Sequence, residues 1–263
     1  MLSIESGLSG MEQSQQEINV IANNIANVNT VGFKASDINF ADTLSETLGS
    51  NSAGSTQVGT GVMTSSILSD FSTPGTISNT GVQSDLAVEG NGFFVVKDPN
   101  SGNTYVTQDG TFTVDQNGYL VTSTGLRLQG TNGDLQISGG SDTAAVTSYQ
   151  IGSDGTLTVN LADGTSVTAG QIELQNFSNP DQLVKSGDNL YTVTTAAGGL
   201  ATPGTPGSNG LGTIESGYLE MSNVDLADQL TSLITAQRAY EANSKVITTS
   251  DDILQAVINM QQG

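Results

Sequence analysis

"LADQLTSLITAQRAYEANSKVITTSDDILQAVI" runs from Leu226 to Ile258. Along it Leu226, Leu230, Leu233, Gln237, Tyr240, Ser244, Ile247, Asp251, Leu254 and Ile258 step by four and three alternately. That spacing is a heptad stripe on one helix, expected to begin after a capping Asn223 or Ser222. Polar Gln237, Ser244 and Asp251 recur within it at a constant interval. In a coiled coil such layers cost stability but fix register and partner number.

The other end of the chain repeats the pattern. Ile4, Leu8, Met11, Gln15, Ile18, Ala22, Ile25 and Asn29 form a thinner stripe, which predicts a helix stopping near Thr30 to Gly32, where glycine ends it. Asparagines stand at 19, 23, 24, 27 and 29, although Asn is a mediocre helix former that prefers caps and turns.

Between the helices the period changes from helical to two. "TYVTQDGTFTVDQNGYLVTSTGLRLQG" (Thr104 to Gly130) and "YQIGSDGTLTVNLADGTSVTAGQIELQNF" (Tyr149 to Phe177) alternate apolar and polar residues. Asp109-Gly110, Asn117-Gly118, Asp154-Gly155 and Asp163-Gly164 interrupt them as hairpin turns. Two stretches rich in Gly, Ser, Thr and Pro, Leu48 to Gly61 and Ala196 to Gly212, read as linkers. The fold class is α+β: N- and C-terminal helices pair as an α-helical coiled-coil domain, and a β-rich, mainly antiparallel domain is inserted between them. The expected boundaries are 1–47 for the first helix and its following segment, 48–84 for a linker and extended segment, and 85–195 for the β domain. A return linker over 196–221 and the second helix over 222–263 complete the chain.

Composition narrows the function. Six basic residues against 26 acidic give a formal charge of −20, so nucleic acid and anionic membranes are repelled as partners. No apolar run is long enough to span a membrane, and the N-terminus lacks the basic region and apolar run of a secretory signal. There is no Cys and no His, which removes disulfides, thiolate metal sites and the usual general base. No cofactor, metal or catalytic residue is expected. The helices are also short of partners within their own chain, because a stripe carrying Gln15 and Asn29 cannot make a dry two-helix core. Other copies of the same chain are the natural supply, and Asn and Gln amides can pair between them as donors and acceptors.

Three motifs then carry a resemblance: "VIANNIANVNTVGFK" near the start, "DLAVEGNGFFVV" (Asp85 to Val96), and "ESGYLEMSNVDLADQLTSLITAQRAYEANSKVITTSDDILQ" (Glu215 to Gln255). They resemble the rod and hook proteins of the bacterial flagellum. The resemblance implies a subunit polymerising helically into a tube, with the terminal helices as inner coiled-coil wall and the β domain outside. Subunit packing then falls to Ile18, Asn23, Asn24, Ile25 and Asn27 on the first helix. On the second it falls to Leu226, Leu230, Leu233, Gln237, Arg238, Tyr240, Ser244, Ile247, Leu254 and Ile258. The implied partners are further copies of the chain, adjacent rod, hook cap and hook–filament junction proteins, and the flagellar type III export apparatus. Export without a cleaved signal would bring the chain from the cytosol to the hook or basal body, and the family's export-gate pattern is matched by Phe40 and Leu44 in "FADTL".

Within the family, the length fits a distal rod protein, whereas "QVGTGVMTSSILSDFSTPGTISNTG" (Gln57 to Gly81), "GLGTIESGYLEMSNVDL" and "ITTSDDIL" look like hook proteins. The sequence therefore reads first as a hook subunit and second as a distal rod subunit. A reading from a different class is a secreted β-rich adhesin or glycan-active protein using paired carboxylates such as Asp109 and Asp115. "GNGFF" (Gly90 to Phe94) lacks the Lys-Ser or Lys-Thr of a phosphate loop and reads as delivering two aromatics to the β core.

Overall fold

The computed structural model describes residues 2–43, 45–51, 54–138, 145–198 and 203–261. The fold is α+β, with a helix at each end and a β-rich middle. The chain forms two compact units: residues 1–28, 35–70 and 224–263 make the first, and residues 29–34 and 71–223 make the second.

The first unit holds α1 (Leu2–Ala26), β1 (Ser36–Asp42), β2 (Ser45–Asn51), β3 (Gly54–Gly59), β4 (Val62–Ser69) and, at the far end of the chain, α2 (Leu226–Gln261). The helices pack together antiparallel. Ser3 Oγ lies 3.5 Å from Ser250 Oγ, Gly10 lies against Asn243, and Asn24 Nδ2 donates to Gln229 Oε1 at 3.1 Å. The contact is close because α1 presents small residues to it. A Cβ on Gly10 would stand 2.7 Å from Asn243 Nδ2, so a larger residue there would displace the Asn243 side chain.

The buried stripe of α1 is therefore Gly7, Ser14, Ile21 and Asn24, one position away from the heptad read in the sequence. Of that heptad, Leu8, Gln15 and Ala22 are exposed and Ile4, Met11, Ile18 and Ile25 half-buried. Periodicity counts apolar residues, whereas this pairing selects small ones. On α2, Leu233, Tyr240, Ser244 and Ile247 are half-buried and Ala236 buried, but Leu226, Leu230, Gln237, Asp251, Leu254 and Ile258 are exposed. The cap also differs from expectation. Asp225 Oδ1 accepts from the Ala227 and Asp228 amides at 2.7 and 3.3 Å, as an N-cap carboxylate does.

Residues 45–69, largely read as linker, are paired as strands: β2 with β3 and β1 with β4, both antiparallel. β4 is tied to α1 by polar side chains. The Thr64 hydroxyl bonds to the amide oxygens of Gln13 and Gln16, and Ser9 Oγ accepts from the Val62 amide at 3.3 Å.

The second unit runs through β5 (Ile77–Asn79), β6 (Leu86–Glu89), β7 (Phe93–Lys97), β8 (Thr104–Thr107), β9 (Thr113–Val114), β10 (Leu120–Val121), β11 (Arg127–Gly130) and β12 (Gly133–Asp134). It continues with β13 (Val146–Ile151), β14 (Thr156–Leu161), β15 (Ser166–Gln171), β16 (Leu174–Gln175), β17 (Val184–Gly187), β18 (Leu190–Thr192), β19 (Thr213–Ser216) and β20 (Tyr218–Glu220). The main sheet has the order β17-β18-β8-β7-β11-β10-β9, with β12 paired to β11 and β16 to β7. β13-β14-β15 form a second sheet, and β6-β19 and β5-β20 are two-stranded ribbons.

β7 is the centre of this unit because both of its faces are buried. Phe94 and Val96 join one cluster with Leu128, Leu157 and Ile214, while Phe93 and Val95 join another with Val106, Phe177 and Tyr191. The two aromatics of "GNGFF" thus enter the core on opposite sides, each with an edge-to-face neighbour: Phe112 at 5.3 Å from Phe94 and Phe177 at 5.4 Å from Phe93.

Three of the four Gly turns close hairpins as the sequence predicts. Asp154 and Asp163 accept amide hydrogen bonds from Thr156 and Thr165 at 3.0 and 2.9 Å, and Asp115 accepts two at the Asn117-Gly118 turn. Asp109-Gly110 does not join two paired strands. A Cβ on Gly110 would run into the Leu86 carbonyl, and the Gly110 carbonyl accepts from the Leu86 amide at 3.0 Å, so this glycine serves a close backbone approach. The return segment after Ala196 also contributes to the interior, since Ala197 and Leu211 are buried.

Candidate subunit-packing surfaces

The asparagines of α1 divide by what they face. Asn24 is 1% exposed and holds three elements of the first unit together. Its Nδ2 donates to the Ser36 carbonyl at 3.0 Å and its Oδ1 accepts from the Ser36 amide at 2.9 Å, so the side chain pairs with β1 as another strand would. The same Nδ2 reaches Gln229 on α2. Asn24 is thus withdrawn from the subunit-packing set, because its amide is spent inside its own unit. Asn27 Nδ2 donates to the Asn23 carbonyl at 2.9 Å, which also accepts the Asn27 backbone amide at 3.2 Å, so this side chain reinforces the last turn of its own helix. Asn23 itself is exposed.

Most of the other residues expected to pack between subunits lie at or near the surface. Ile18 and Ile25 are half-buried on α1, and Leu226, Leu230, Gln237, Leu254 and Ile258 lie open on α2. From Asp251 to Met260 every residue of α2 is exposed, including Ile253, Leu254, Val257 and Ile258. Leu233, Tyr240, Ser244 and Ile247 are half-buried, Ile247 beside Gly7 of α1. Arg238 pairs within its own helix, with Nη1 2.9 Å from Glu241 Oε2 and both side chains open to solvent. Such an exposed pair contributes little to stability. Phe40 on β1 is 41% exposed; Leu44 lies outside the described residues.

Two carboxylates of the first unit are held in their neutral form more readily than usual. Burial raises the Glu17 carboxyl, and burial followed by the neighbouring Asp70 charge raises that of Asp37. The carboxylates of the glycan-active reading are occupied by turns: Asp109 Oδ1 accepts from the Thr111 amide and hydroxyl at 2.9 and 2.7 Å, and Asp115 accepts from Asn117 and Tyr119. Among the described residues no group of three or more His, Cys, Asp or Glu side chains is placed to hold a metal ion, and no helix is long and apolar enough to cross a membrane.

Sequence reasoning missed a buried ion pair in the second unit. Lys34 Nζ lies 2.8 Å from Glu220 Oε1, and the same oxygen accepts from the Gly75 amide at 2.7 Å. Lys34 also donates to the Thr73 carbonyl at 3.3 Å, and Gly32 N to the Glu220 carbonyl at 2.8 Å. Segments 29–34, 71–75 and 220–223 are tied into one knot. Lys185 lies over the Phe33 ring at 4.7 Å, where burial lowers its pKa. Lys34 and Glu220 stand 186 positions apart, a pairing that no local pattern encodes.

Three family descriptions match the chain in the order helix, β body, helix. "Flagella basal body rod protein" covers residues 4–34, "Flagellar hook protein FlgE/F/G D1 domain" 87–159, and "Flagellar basal body rod FlgEFG protein C-terminal" 215–260. The class is that of flagellar axial proteins. Among individual relatives, the flagellar basal-body rod protein FlgG of Bacillus subtilis is 43% identical, with 99% of each chain covered. That of Caulobacter vibrioides is 40% identical over 99% of this chain and 100% of its own. The flagellar hook protein FlgE of Escherichia coli is 26% identical across an alignment of 414 residues, covering 99% of this chain. The chain belongs to the flagellar rod and hook protein family.

Proposed function

We propose that this protein is a non-enzymatic subunit of the distal rod of the flagellar basal body, self-assembling helically beside other axial proteins. The observation that carries the reading is the open end of α2. Ile253, Leu254, Val257 and Ile258 lie on one side of its last turns and are exposed, an apolar surface of the kind that marks an interaction site. Identical helices arranged around a common axis supply that partner, as a coiled-coil wall whose polar Gln237 and Asp251 fix register. The chain's charge of −20 keeps unassembled copies apart and soluble. Export through the flagellar apparatus, with Phe40 and Leu44 as its recognition pair, is part of the same reading.

The hook expectation, drawn from residues 57–81 and two short C-terminal stretches, yields to the distal rod. Relatives named as rod proteins match end to end at up to 43% identity, against 26% for the longer hook relative. A short segment shared across a family carries less weight than identity along the whole chain. Deleting the gene in its host and imaging basal bodies by electron microscopy tests this. Shortened rods are expected; complete rods lacking only a hook would restore the hook reading, and normal flagella would refute both.

A further inference from the structure

Beside the Lys34–Glu220 pair, the second unit contains a cleft of about 310 Å³, at the small end of ligand pockets and suited to one long side chain. Phe71 and Phe93 stand edge to face in its wall at 5.1 Å. Glu220 already compensates Lys34, so the outstanding charge is that of Glu89, an exposed carboxylate in the lining. Gln108 also lines the cleft. It is buried, and its Oε1 has no hydrogen-bond partner among the described residues, an arrangement that costs stability unless a donor arrives. Aromatic faces, a carboxylate and an unused amide oxygen together suit a cation on an apolar stem.

The same unit presents one basic side chain that fits. Lys34 is bound to Glu220, Arg127 to Asp134 at 2.8 Å, and Lys185 covers the Phe33 ring. Lys97 is exposed and makes no ion pair among the described residues. Its position is the telling feature. Gly90 to Phe93 border the cleft where β7 begins, and Lys97 ends the same strand, about 13 Å further along at the usual strand rise. A socket and a plug at opposite ends of one strand can be exchanged reciprocally in a closed pair or joined head to tail, and only the head-to-tail contact extends into the helical polymer of the reading above.

We propose that the cleft receives the Lys97 side chain of a second copy, so that β bodies stack axially with the ammonium between Glu89 and the Gln108 amide oxygen. This rests on the polymer reading above and adds to it a contact outside the helices. The absence of native cysteine permits a direct test. Host cells carry the full chain with Lys97→Cys and Glu89→Cys together, and isolated basal bodies are oxidised and run on a non-reducing gel. A ladder of dimers, trimers and longer species is expected, whereas the control pair Lys97→Cys with Val146→Cys gives none. Charge exchange is the second measurement. Lys97→Glu is expected to cut assembled protein roughly tenfold or more, and adding Glu89→Lys to restore it, with circular dichroism of each purified chain reporting its fold. A chain that is present in basal bodies but gives no ladder, with Lys97→Glu assembling normally, overturns this contact and leaves the polymer reading standing. A wild-type chain absent from basal bodies overturns both.

Discussion

Replacing Asn24 with Ala tests whether one buried amide holds the helical unit together. The side chain makes three hydrogen bonds: 3.0 and 2.9 Å to the Ser36 carbonyl and amide, and 3.1 Å to Gln229 Oε1. Each net bond contributes about 1 kcal/mol, and a buried partner left unsatisfied costs about 1–3 kcal/mol. Ser36 and Gln229 are half-buried, so water recovers part of that cost, and a loss of about 2–4 kcal/mol is expected. Asn24→Asp should lose at least as much at neutral pH, because a carboxylate cannot donate to the Ser36 carbonyl or to Gln229. Urea unfolding followed by the helical circular dichroism signal measures both against Asn23→Ala. Asn23 is exposed, so that change should stay within about 0.5 kcal/mol. Equal effects at positions 23 and 24 would refute the junction.

Glu17→Gln should stabilise the first unit at pH 7. Burial raises the folded pKa above the ordinary 4.5, so the ionised form costs stability; the gain fades as pH falls through the raised folded pKa and is gone below 4.5, where both states are protonated. A gain independent of pH in chemical denaturation would contradict this. Removing one member of the buried pair, by Lys34→Met or Glu220→Gln, should cost about 3–5 kcal/mol in thermal unfolding, and the double change Lys34→Met with Glu220→Leu should recover much of it. Equal losses in the single and double variants would argue against a coupled pair. Leu254→Asp should leave the monomer's melting curve unchanged while abolishing assembly in sedimentation, because Leu254 is exposed; normal polymers would sink the seam. Leu233→Asp should lower both, since Leu233 is half-buried.

The parts legible in the sequence are those encoded over short distances. Heptad spacing announced two helices, and turn chemistry located three hairpins, at Asn117-Gly118, Asp154-Gly155 and Asp163-Gly164. The Asp109-Gly110 pair misled because the same dipeptide serves a hairpin or a close backbone approach. Only the Leu86 carbonyl against Gly110 distinguishes them. Strands β2 to β4 were hidden by Gly, Ser and Thr, since these strands have little apolar alternation to display. The inward face of α1 was hidden for a related reason. α1 turns its small residues Gly7, Gly10 and Ser14 inward, which an apolar count reads as the outside.

That inversion bears on function. If the sequence's heptads were the intrachain contact, the chain would bury its own adhesive surface and gain little from other copies. The small-residue pairing instead satisfies the helices as a pair and leaves Leu8, Leu226, Leu230, Leu254 and Ile258 facing outward. A monomer can then be stable enough to persist and still be apolar enough to polymerise. Asn24 belongs to the same arrangement, since a buried amide that fixes β1, α1 and α2 specifies their geometry where a generic apolar contact would allow them to slide. The asparagines therefore have two uses: Asn24 and Asn27 finish the subunit, and Asn23 is left on its surface.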